Sequence, residues 1–377
     1  MALFDEIEED FDPAGSDEAI EKSEGLGAPK DNLLSFGCEA VEQTLLKRFN
    51  ADRFPHAMVF SGPEGVGKAT FAFRVARFLL SQEAAGGMFA AEDIPAESFD
   101  VDPSNPVVRR VSSGGHADLM VVGRVYDEKK GSVSNDIPVE EVRKITPFLR
   151  KTSSEGGWRV VIVDEAQHLN RSSQNALLKI LEEPPKKTVL ILITDQAGRF
   201  LPTIRSRCQI YDFQVLSDEH MKLLAEKAMP YVSGADRDKL ISFSEGQIGR
   251  AVSLHECGGV EIYNDLIGLL EKLPKLDEVV AFELSESLGR DKKAFPVFSE
   301  LLLSWLAKMA RAGLRPASSV AVSSDEAAVI SRLSQIYTTR DWLERYDAIN
   351  RILLATDRIH LDTKQTVLDI IWTLEKD

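Results

Sequence analysis

The chain has few cysteines and no long apolar segment. Its three cysteines, Cys38, Cys208 and Cys257, are too few and too scattered for a disulfide framework or a four-cysteine zinc site, so we expect reduced, buried thiols. No apolar run approaches the roughly 20 residues that a membrane-spanning helix needs. The N-terminus, MALFDEIEED, is acidic and thus unlike a secretory signal or a transit peptide. These absences exclude disulfide-stabilised secreted proteins and membrane proteins, and they predict a cytoplasmic protein.

Positively charged residues are also outnumbered by acidic ones, and the resulting negative charge is unevenly distributed along the chain. The formal net charge is −15, and residues 1–30 hold ten Asp or Glu against two Lys, so this segment alone carries −8 and the remainder −7. Because residues 1–30 are also rich in Gly, Ser and Ala, we expect a disordered acidic tail there. A mildly acidic body can still carry a local basic face, so net charge neither indicates nor excludes binding to nucleic acid.

Short apolar segments alternate with helical patterns in the first part of the chain. The segments HAMVFSG, DLMVVGR, RVVIVDEA and TVLILITD have the length and composition of buried strands. Their alternation with helices predicts an α/β domain, a parallel sheet between helices. After about Leu216 the strand patterns stop, and the remaining sequence has helical periodicity, which predicts all-helical modules up to the C-terminus.

A glycine-rich segment, SGPEGVGKAT, lies between the first predicted strand and an apolar helix. A phosphate-binding P-loop has Gly, four residues, Gly, Lys and then Ser or Thr. Gly62, Gly67 and Lys68 fit this spacing, and Gly65 also lets the backbone approach a phosphate. Backbone N–H groups and the helix N-terminus attract phosphate, and Lys68 is placed to reach the β- and γ-phosphates. The segment predicts a phosphate-binding turn, with a purely structural turn as the alternative.

The last position of the P-loop departs from the pattern. It holds Ala69, whose methyl group offers Mg²⁺ no lone pair, whereas the usual hydroxyl is a direct Mg²⁺ ligand. Thr70, the next hydroxyl, is a candidate nucleotide contact, but it lies about 100° further around the helix, so we expect its oxygen to point elsewhere than at the usual Mg²⁺ position. Mg²⁺ readily retains water ligands, so a water can take the coordination position that the missing hydroxyl leaves open. We therefore expect ATP and Mg²⁺ to bind weakly or not at all, with hydrolysis weakened or absent.

An acidic pair follows the apolar strand RVVIV. Asp164 and Glu165 stand where the loop beyond a parallel strand faces a ligand crevice. In phosphoryl-transfer sites an Asp here is a candidate Mg²⁺ ligand, and the next Glu orients the attacking water. The alternative is an acidic pair at a helix start, which is common. The P-loop about a hundred residues upstream favours the catalytic interpretation.

Three later strings resemble the clamp-loader branch of the AAA+ ATPases: SSQNALLKILEEPP (172–185), TDQAGRFLPTIRSRCQ (194–209) and GQIGRAVSL (246–254). The resemblance implies a Rossmann-like AAA+ P-loop domain over 31–215, a small helical lid over 216–258 and an all-α collar domain over 259–377 that forms the ring of a pentamer. It also implies gamma/tau and delta subunits as partners, with ATP used to open a sliding clamp and place it on primed DNA within a DNA polymerase holoenzyme.

The resemblance also implies roles for three residues. Arg207, in the Ser-Arg-Cys motif, matches the arginine finger that acts in trans on ATP bound by a neighbouring subunit, and a guanidinium suits that role because it stabilises charge on the transferring phosphoryl group. Thr194 matches the first sensor and Arg250 the second. The alternatives are an ordinary loop arginine beside Arg205, a strand-end cap and a helix-surface charge.

One departure from the family concerns zinc. Most related subunits carry a four-cysteine zinc module soon after the P-loop, but residues 81–117 contain no cysteine, so we expect packing to hold this region without structural zinc. The leading hypothesis is the stationary clamp-loader subunit with a degenerate P-loop. The alternative is a catalytically active motor of the gamma/tau type, against which Ala69 and the missing cysteines argue. A third possibility, a helicase loader, does not explain the three strings.

Overall fold

The computed structural model describes residues 27–82, 95–127, 132–154, 156–276, 278–291, 293–312, 321, 324–359 and 361–375. Most of the predicted acidic tail and the middle of segment 81–117 lie outside these residues. Residues 27–30, which the sequence places in the tail, belong to the described structure and lie against the P-loop domain.

A five-stranded parallel sheet forms the centre of the first domain. Its order is β2-β5-β6-β1-β7, and a short antiparallel hairpin, β3-β4, lies apart from it. The strands are β1 (Ala57–Ser61), β2 (Leu119–Val122), β3 (Tyr126–Asp127), β4 (Ser132–Val133), β5 (Arg159–Val163), β6 (Thr188–Thr194) and β7 (Gln209–Asp212). Strands β5 and β6 are buried along their whole length, because helices cover both faces of the sheet, and this explains their continuous apolar sequences.

Helices form one layer on each face of this sheet. The first layer packs Phe71 and Phe78 of its long helix against Phe99, which is fully buried, so aromatic packing holds part of the cysteine-free segment. The layers consist of α1 (Glu39–Asn50), α2 (Lys68–Ser81) and α3 (Pro106–Ser112) on one face, and α4 (Val139–Arg143), α5 (Ile145–Arg150), α6 (Arg171–Glu182) and α7 (Pro202–Arg205) on the other.

Beyond β7 the described residues form helices without strands. These are α8 (Asp218–Ala228), α9 (Gly234–Phe243), α10 (Ile248–Glu256), α11 (Gly259–Leu270), α12 (Glu278–Arg290), α13 (Ala294–Ala312), α14 (Ser324–Ile336), α15 (Thr339–Ile359) and α16 (Thr363–Glu375). One hydrophobic core runs from Leu216 to Leu374 and is shared by the helices expected to form the lid and those expected to form the collar. Trp305 and Trp342 meet at its centre, edge to face. The predicted fold class is confirmed.

None of the helices in the described ranges is both long enough and apolar enough to cross a membrane.

Candidate functional site

The glycine-rich loop joins β1 to α2 as the sequence predicts. Gly62 has a φ of +153°, and a Cβ there would collide with the carbonyl oxygen of Phe213, so no larger residue fits. Gly65 has a φ of +75° and lies against the N-terminus of α10, where its carbonyl accepts a 3.0 Å hydrogen bond from the N–H of Gly249. Gly67 is left-handed and directly precedes α2. The loop is therefore closed on one side by the helices that follow the sheet.

Lys68 is buried at the start of α2. Its Nζ donates to the carbonyl oxygens of Gly62 (2.7 Å) and Pro63 (2.5 Å), so the ammonium is held within the loop itself. Burial lowers the pKa of Lys68, an effect that the carboxylates of Asp195, Glu64 and Asp164 oppose. The ammonium lies at the position where a phosphate-binding lysine is required.

Asp164 follows β5 directly, next to the loop. Its Oδ1 accepts a 2.9 Å hydrogen bond from the N–H of Glu165, and burial raises the pKa of the Asp164 carboxyl. Glu165 has a left-handed backbone with a φ of +49°. Both residues line the same cavity as Lys68, so the structure brings the predicted acidic pair and the predicted lysine together.

Glu165 has a partner that the sequence did not indicate. The guanidinium of Arg124 donates to both carboxylate oxygens of Glu165, at 2.7 and 2.5 Å. Arg124 lies two residues beyond β2, the strand next to β5, and the carboxyl ends of parallel strands meet at one edge of the sheet. The position of Arg124 just beyond the end of a strand was therefore the one sign in the sequence that it lies near Glu165. A carboxylate engaged by a bidentate guanidinium is less free to orient a water.

The cavity around these residues has a volume of about 620 Å³ and is acidic. Its described lining carries five carboxylates and one ammonium, a formal charge of −4: Glu64, Asp164, Glu165, Asp195 and Glu256 against Lys68. Ala69 and Thr70 both line it, as does Thr194, whose hydroxyl accepts a 3.0 Å hydrogen bond from the N–H of Gln196. Such a lining repels a polyanion unless cations accompany it.

The opposite wall of the cavity is formed by the segment preceding α1. Arg77 of α2 is 2% exposed and donates to the carbonyl oxygens of Lys30 (3.0 Å) and Asn32 (2.7 Å), which fixes this segment in place. This segment and α10 contribute further lining residues: Gly27, Ala28, Pro29, Asn32, Leu34, Ser35, Phe36, Ile248, Gly249, Val252 and Ser253. The sequence pattern gave no sign of this wall.

Arg250 lies on α10 but outside the lining of the cavity. Its guanidinium pairs with Glu300 of α13 at 2.5 Å and approaches Glu245 at 3.8 Å. The side chain is therefore directed towards the later helices. Of the predicted nucleotide contacts, the structure gathers Gly65, Gly67, Lys68, Thr70, Asp164, Glu165 and Thr194 around one cavity.

Arg207 lies on the surface, just after α7. Its guanidinium is 36% exposed and pairs with Glu182 at 2.9 Å, and it also donates to the carbonyl oxygen of Thr203 at 3.1 Å. The side chain is not part of the lining of the P-loop cavity. The location suits contact with a second molecule.

Divalent cations have an incomplete set of ligands in this cavity. Asp164 supplies one carboxylate, but Ala69 has no oxygen where the loop normally provides one. In the described residues no group of three or more His, Cys, Asp or Glu side chains is arranged to hold a metal ion. The strand, loop and helix with a buried lysine define a P-loop domain in which Ala69 stands at the position that usually holds a hydroxyl.

Comparison with known proteins narrows this class. A family model described as DNA polymerase III, delta subunit, matches residues 37–217. DNA polymerase III subunit delta' of Pseudomonas aeruginosa is 28% identical over 304 residues, 78% of this chain and 86% of that protein. Subunit delta' of Bacillus subtilis is 31% identical over 216 residues, 57% of this chain and 58% of that protein. Subunit tau of B. subtilis is 28% identical over 225 residues, 58% of this chain and 36% of that protein.

A solved structure also matches along most of the chain. It is a gamma-subunit-related protein of Thermotoga maritima, with 18% identity and a TM-score of 0.40, and the match covers 88% of this chain and 98% of that one. The family model and these relatives show that the chain is similar to subunits of DNA polymerase III, and two of the relatives are delta' subunits.

The half-buried carboxylate of Asp164 predicts a pH-dependent stability. Since its folded pKa is raised above the unfolded value of 3.8, folding favours the protonated form, and the ionised carboxylate costs stability at neutral pH. We expect Asp164→Asn to raise the thermal midpoint at pH 7 and to lose this advantage as the pH falls through the raised pKa towards 3.8. Asp195→Asn, at an exposed position of the same cavity, is the control and should change little. An unchanged thermal midpoint in Asp164→Asn would show that the ionised carboxylate does not lower the stability of the folded protein.

Proposed function

We propose that this chain is the stationary subunit of a clamp loader and activates ATP hydrolysis on a neighbouring subunit. In this proposal residues 31–215 form the AAA+ domain, 216–258 the lid and 259–377 the collar. The collar joins gamma/tau and delta subunits in a pentamer, which opens the sliding clamp and places it on primed DNA in the bacterial cytoplasm. The chain itself turns over ATP slowly or not at all.

The main support for the proposal is the contrast between Arg207 at the surface and the incomplete P-loop cavity. The partly exposed side chain of Arg207 lies outside the lining of its own cavity, while that cavity has Ala69 where a Mg²⁺ ligand belongs. A guanidinium supplied from outside stabilises the charge of a transferring phosphoryl group. A subunit that gives such a cation to its neighbour does not need a complete site of its own.

Three features of the chain's own cavity argue against efficient turnover. Ala69 removes one metal ligand, Arg124 engages both oxygens of Glu165, and the lining carries a formal charge of −4. Lys68 and the backbone N–H groups of the loop still suit a phosphate group. We therefore infer that ATP with Mg²⁺ binds weakly or not at all, with Asp164 as the remaining metal ligand.

A second candidate, an active motor of the gamma/tau type, has one observation in its favour. Asp164 and Glu165 form an intact acidic pair beside the lysine, and subunit tau of B. subtilis is among the relatives. The alanine at position 69 weighs against it, because the motor requires the metal ligand. Hydrolysis assays on the isolated chain separate the two candidates.

Restoring a hydroxyl at position 69 tests the defect directly. We expect Ala69→Thr to tighten Mg²⁺-dependent ATP binding on the order of tenfold, the gain of one interaction with a charged group. Ala69→Val, which has the same shape without the oxygen, is the matched control. Binding is measured with a fluorescent ATP analogue, with Mg²⁺ and with EDTA. Equal affinities for the threonine and valine variants would show that position 69 does not limit binding.

The proposed role is tested by assembly followed by ATPase measurement. The chain should co-purify with gamma/tau and delta subunits, and the complex should hydrolyse ATP in response to primed DNA and clamp. The isolated chain should show no hydrolysis above background. Robust Mg²⁺-dependent turnover by the isolated natural chain would overturn the proposal and favour the motor.

A further inference from the structure

The guanidinium of Arg207 is held in one orientation by three acceptors. Nη2 pairs with Oε1 of Glu182 at 2.9 Å, while Nη1 donates to the Thr203 carbonyl oxygen at 3.1 Å and to the Ser206 hydroxyl at 3.3 Å. Thr203 and Ser206 are close to Arg207 in sequence, whereas Glu182 belongs to another helix. None of these three acceptors takes Nε–H, and a guanidinium has five donors in all. Donor capacity therefore remains for a second anion.

Glu182 is the last residue of α6, and its side chain is 50% exposed, but the helix that carries it is anchored. Leu181 and Ile180, directly before it, are 3% exposed and pack in the core beneath the sheet. The helix is capped at its other end by Asn170, whose side chain accepts a 2.9 Å hydrogen bond from the N–H of Ser173. The two prolines after Glu183 prevent the helix from continuing. Glu182 thus extends from a rigid element to the arginine.

We propose that Glu182 is a positioning residue for Arg207, an inference that rests on the proposed action of Arg207 in trans. An unrestrained arginine at the surface samples many rotamers, and ordering it at the moment of reaction reduces the rate. The carboxylate of Glu182 limits the guanidinium to one orientation before the neighbour's nucleotide arrives. The remaining donors then stay available for that nucleotide.

The adjacent residue offers a matched control. Glu183 has the same chemistry but is 78% exposed and lies 3.8 Å from Arg150, not from Arg207. Glu182→Gln and Glu183→Gln therefore remove one carboxylate charge from neighbouring positions. Both variants are assembled into the full complex and assayed for ATP hydrolysis with clamp and primed DNA.

We expect Glu182→Gln to lower kcat about threefold to fivefold with little change in KM, as loss of one partly exposed ion pair predicts. Glu183→Gln should match the natural complex. The difference between natural protein and Glu182→Gln should shrink at high salt, because salt screens an exposed pair. Assembly and the thermal midpoint should be the same in all variants.

A double-mutant cycle distinguishes positioning from a structural role. In an Arg207→Ala background, Glu182→Gln should have no further effect on kcat, because Glu182 acts only through Arg207. An additive loss would overturn the inference, as would equal rates for the two glutamine variants. A rise in kcat in Glu182→Gln would show that the carboxylate restrains the arginine, which also overturns it.

The cycle also separates this inference from the proposed function. If Arg207→Ala leaves the ATPase of the complex unchanged, the action in trans is wrong and the role of Glu182 falls with it. If Arg207→Ala lowers the rate and Glu182→Gln does not, only the positioning role is wrong.

Discussion

Arg207→Ala is expected to lower ATP turnover at the adjoining subunit on the order of a thousandfold, the lower end of what an arginine finger contributes. The exposed guanidinium is the only part of this chain that the proposal places in the reaction. Its removal withdraws positive charge from the transferring phosphoryl group. The measurement is single-turnover hydrolysis in complexes assembled with natural and substituted chain.

Folding and assembly should survive this substitution. Arg207 is partly exposed, and its pair with Glu182 contributes at most about 1 kcal/mol to stability. Arg205→Ala is the matched control, since Arg205 is also exposed and ends α7 two residues earlier. Equal rates for the two variants would remove the proposed trans role, whereas loss of assembly in Arg207→Ala would place the residue in the interface instead.

The second large effect concerns the shared core of the later helices. We expect Trp305→Ala to lower the free energy of unfolding by about 3–5 kcal/mol, the usual cost of truncating a buried aromatic residue. Trp305 is 1% exposed, and its ring lies 5.5 Å from that of Trp342, centre to centre, at 84°. Urea denaturation of the isolated chain, followed by circular dichroism, measures the change.

Trp372→Ala makes the same chemical change on the surface. Trp372 is 53% exposed on α16, so its loss should cost about 0.5 kcal/mol or less. Similar destabilisation by both variants would contradict the packing at the centre of this core. A selective loss of the transition belonging to α8–α16, with the sheet domain intact, would show that the two cores unfold separately.

Much of the first domain follows from sequence because its signals are local. Strands β5 and β6 are continuous apolar runs, since a parallel sheet covered on both faces leaves no polar side to alternate with. The spacing of the glycines and the lysine is enough to predict the P-loop. The position of the acidic pair at the end of a strand is enough to predict its place in the site. The edge strand β7 (Gln209–Asp212) is short and largely exposed, so its sequence pattern is too weak to predict a strand.

The rest of the site depends on contacts between distant residues. Arg124 reaches Glu165 across 41 positions, and Arg77 reaches Lys30 across 47. A single sequence assigns no partner to a charged residue, because any of many opposite charges is available. The orientation of Arg250 towards Glu300 is a further example: the motif places it on α10 but does not determine which direction its side chain takes.

The hydrogen bond between Gly65 and Gly249 joins the two halves of the molecule at the phosphate-binding turn. Helix α10 starts there, and its far side shares packing with α11, which in turn packs on α13. These helices cannot tilt separately without opening voids between them. We therefore expect a movement of the phosphate-binding turn to shift α10, α11 and α13 together rather than one at a time.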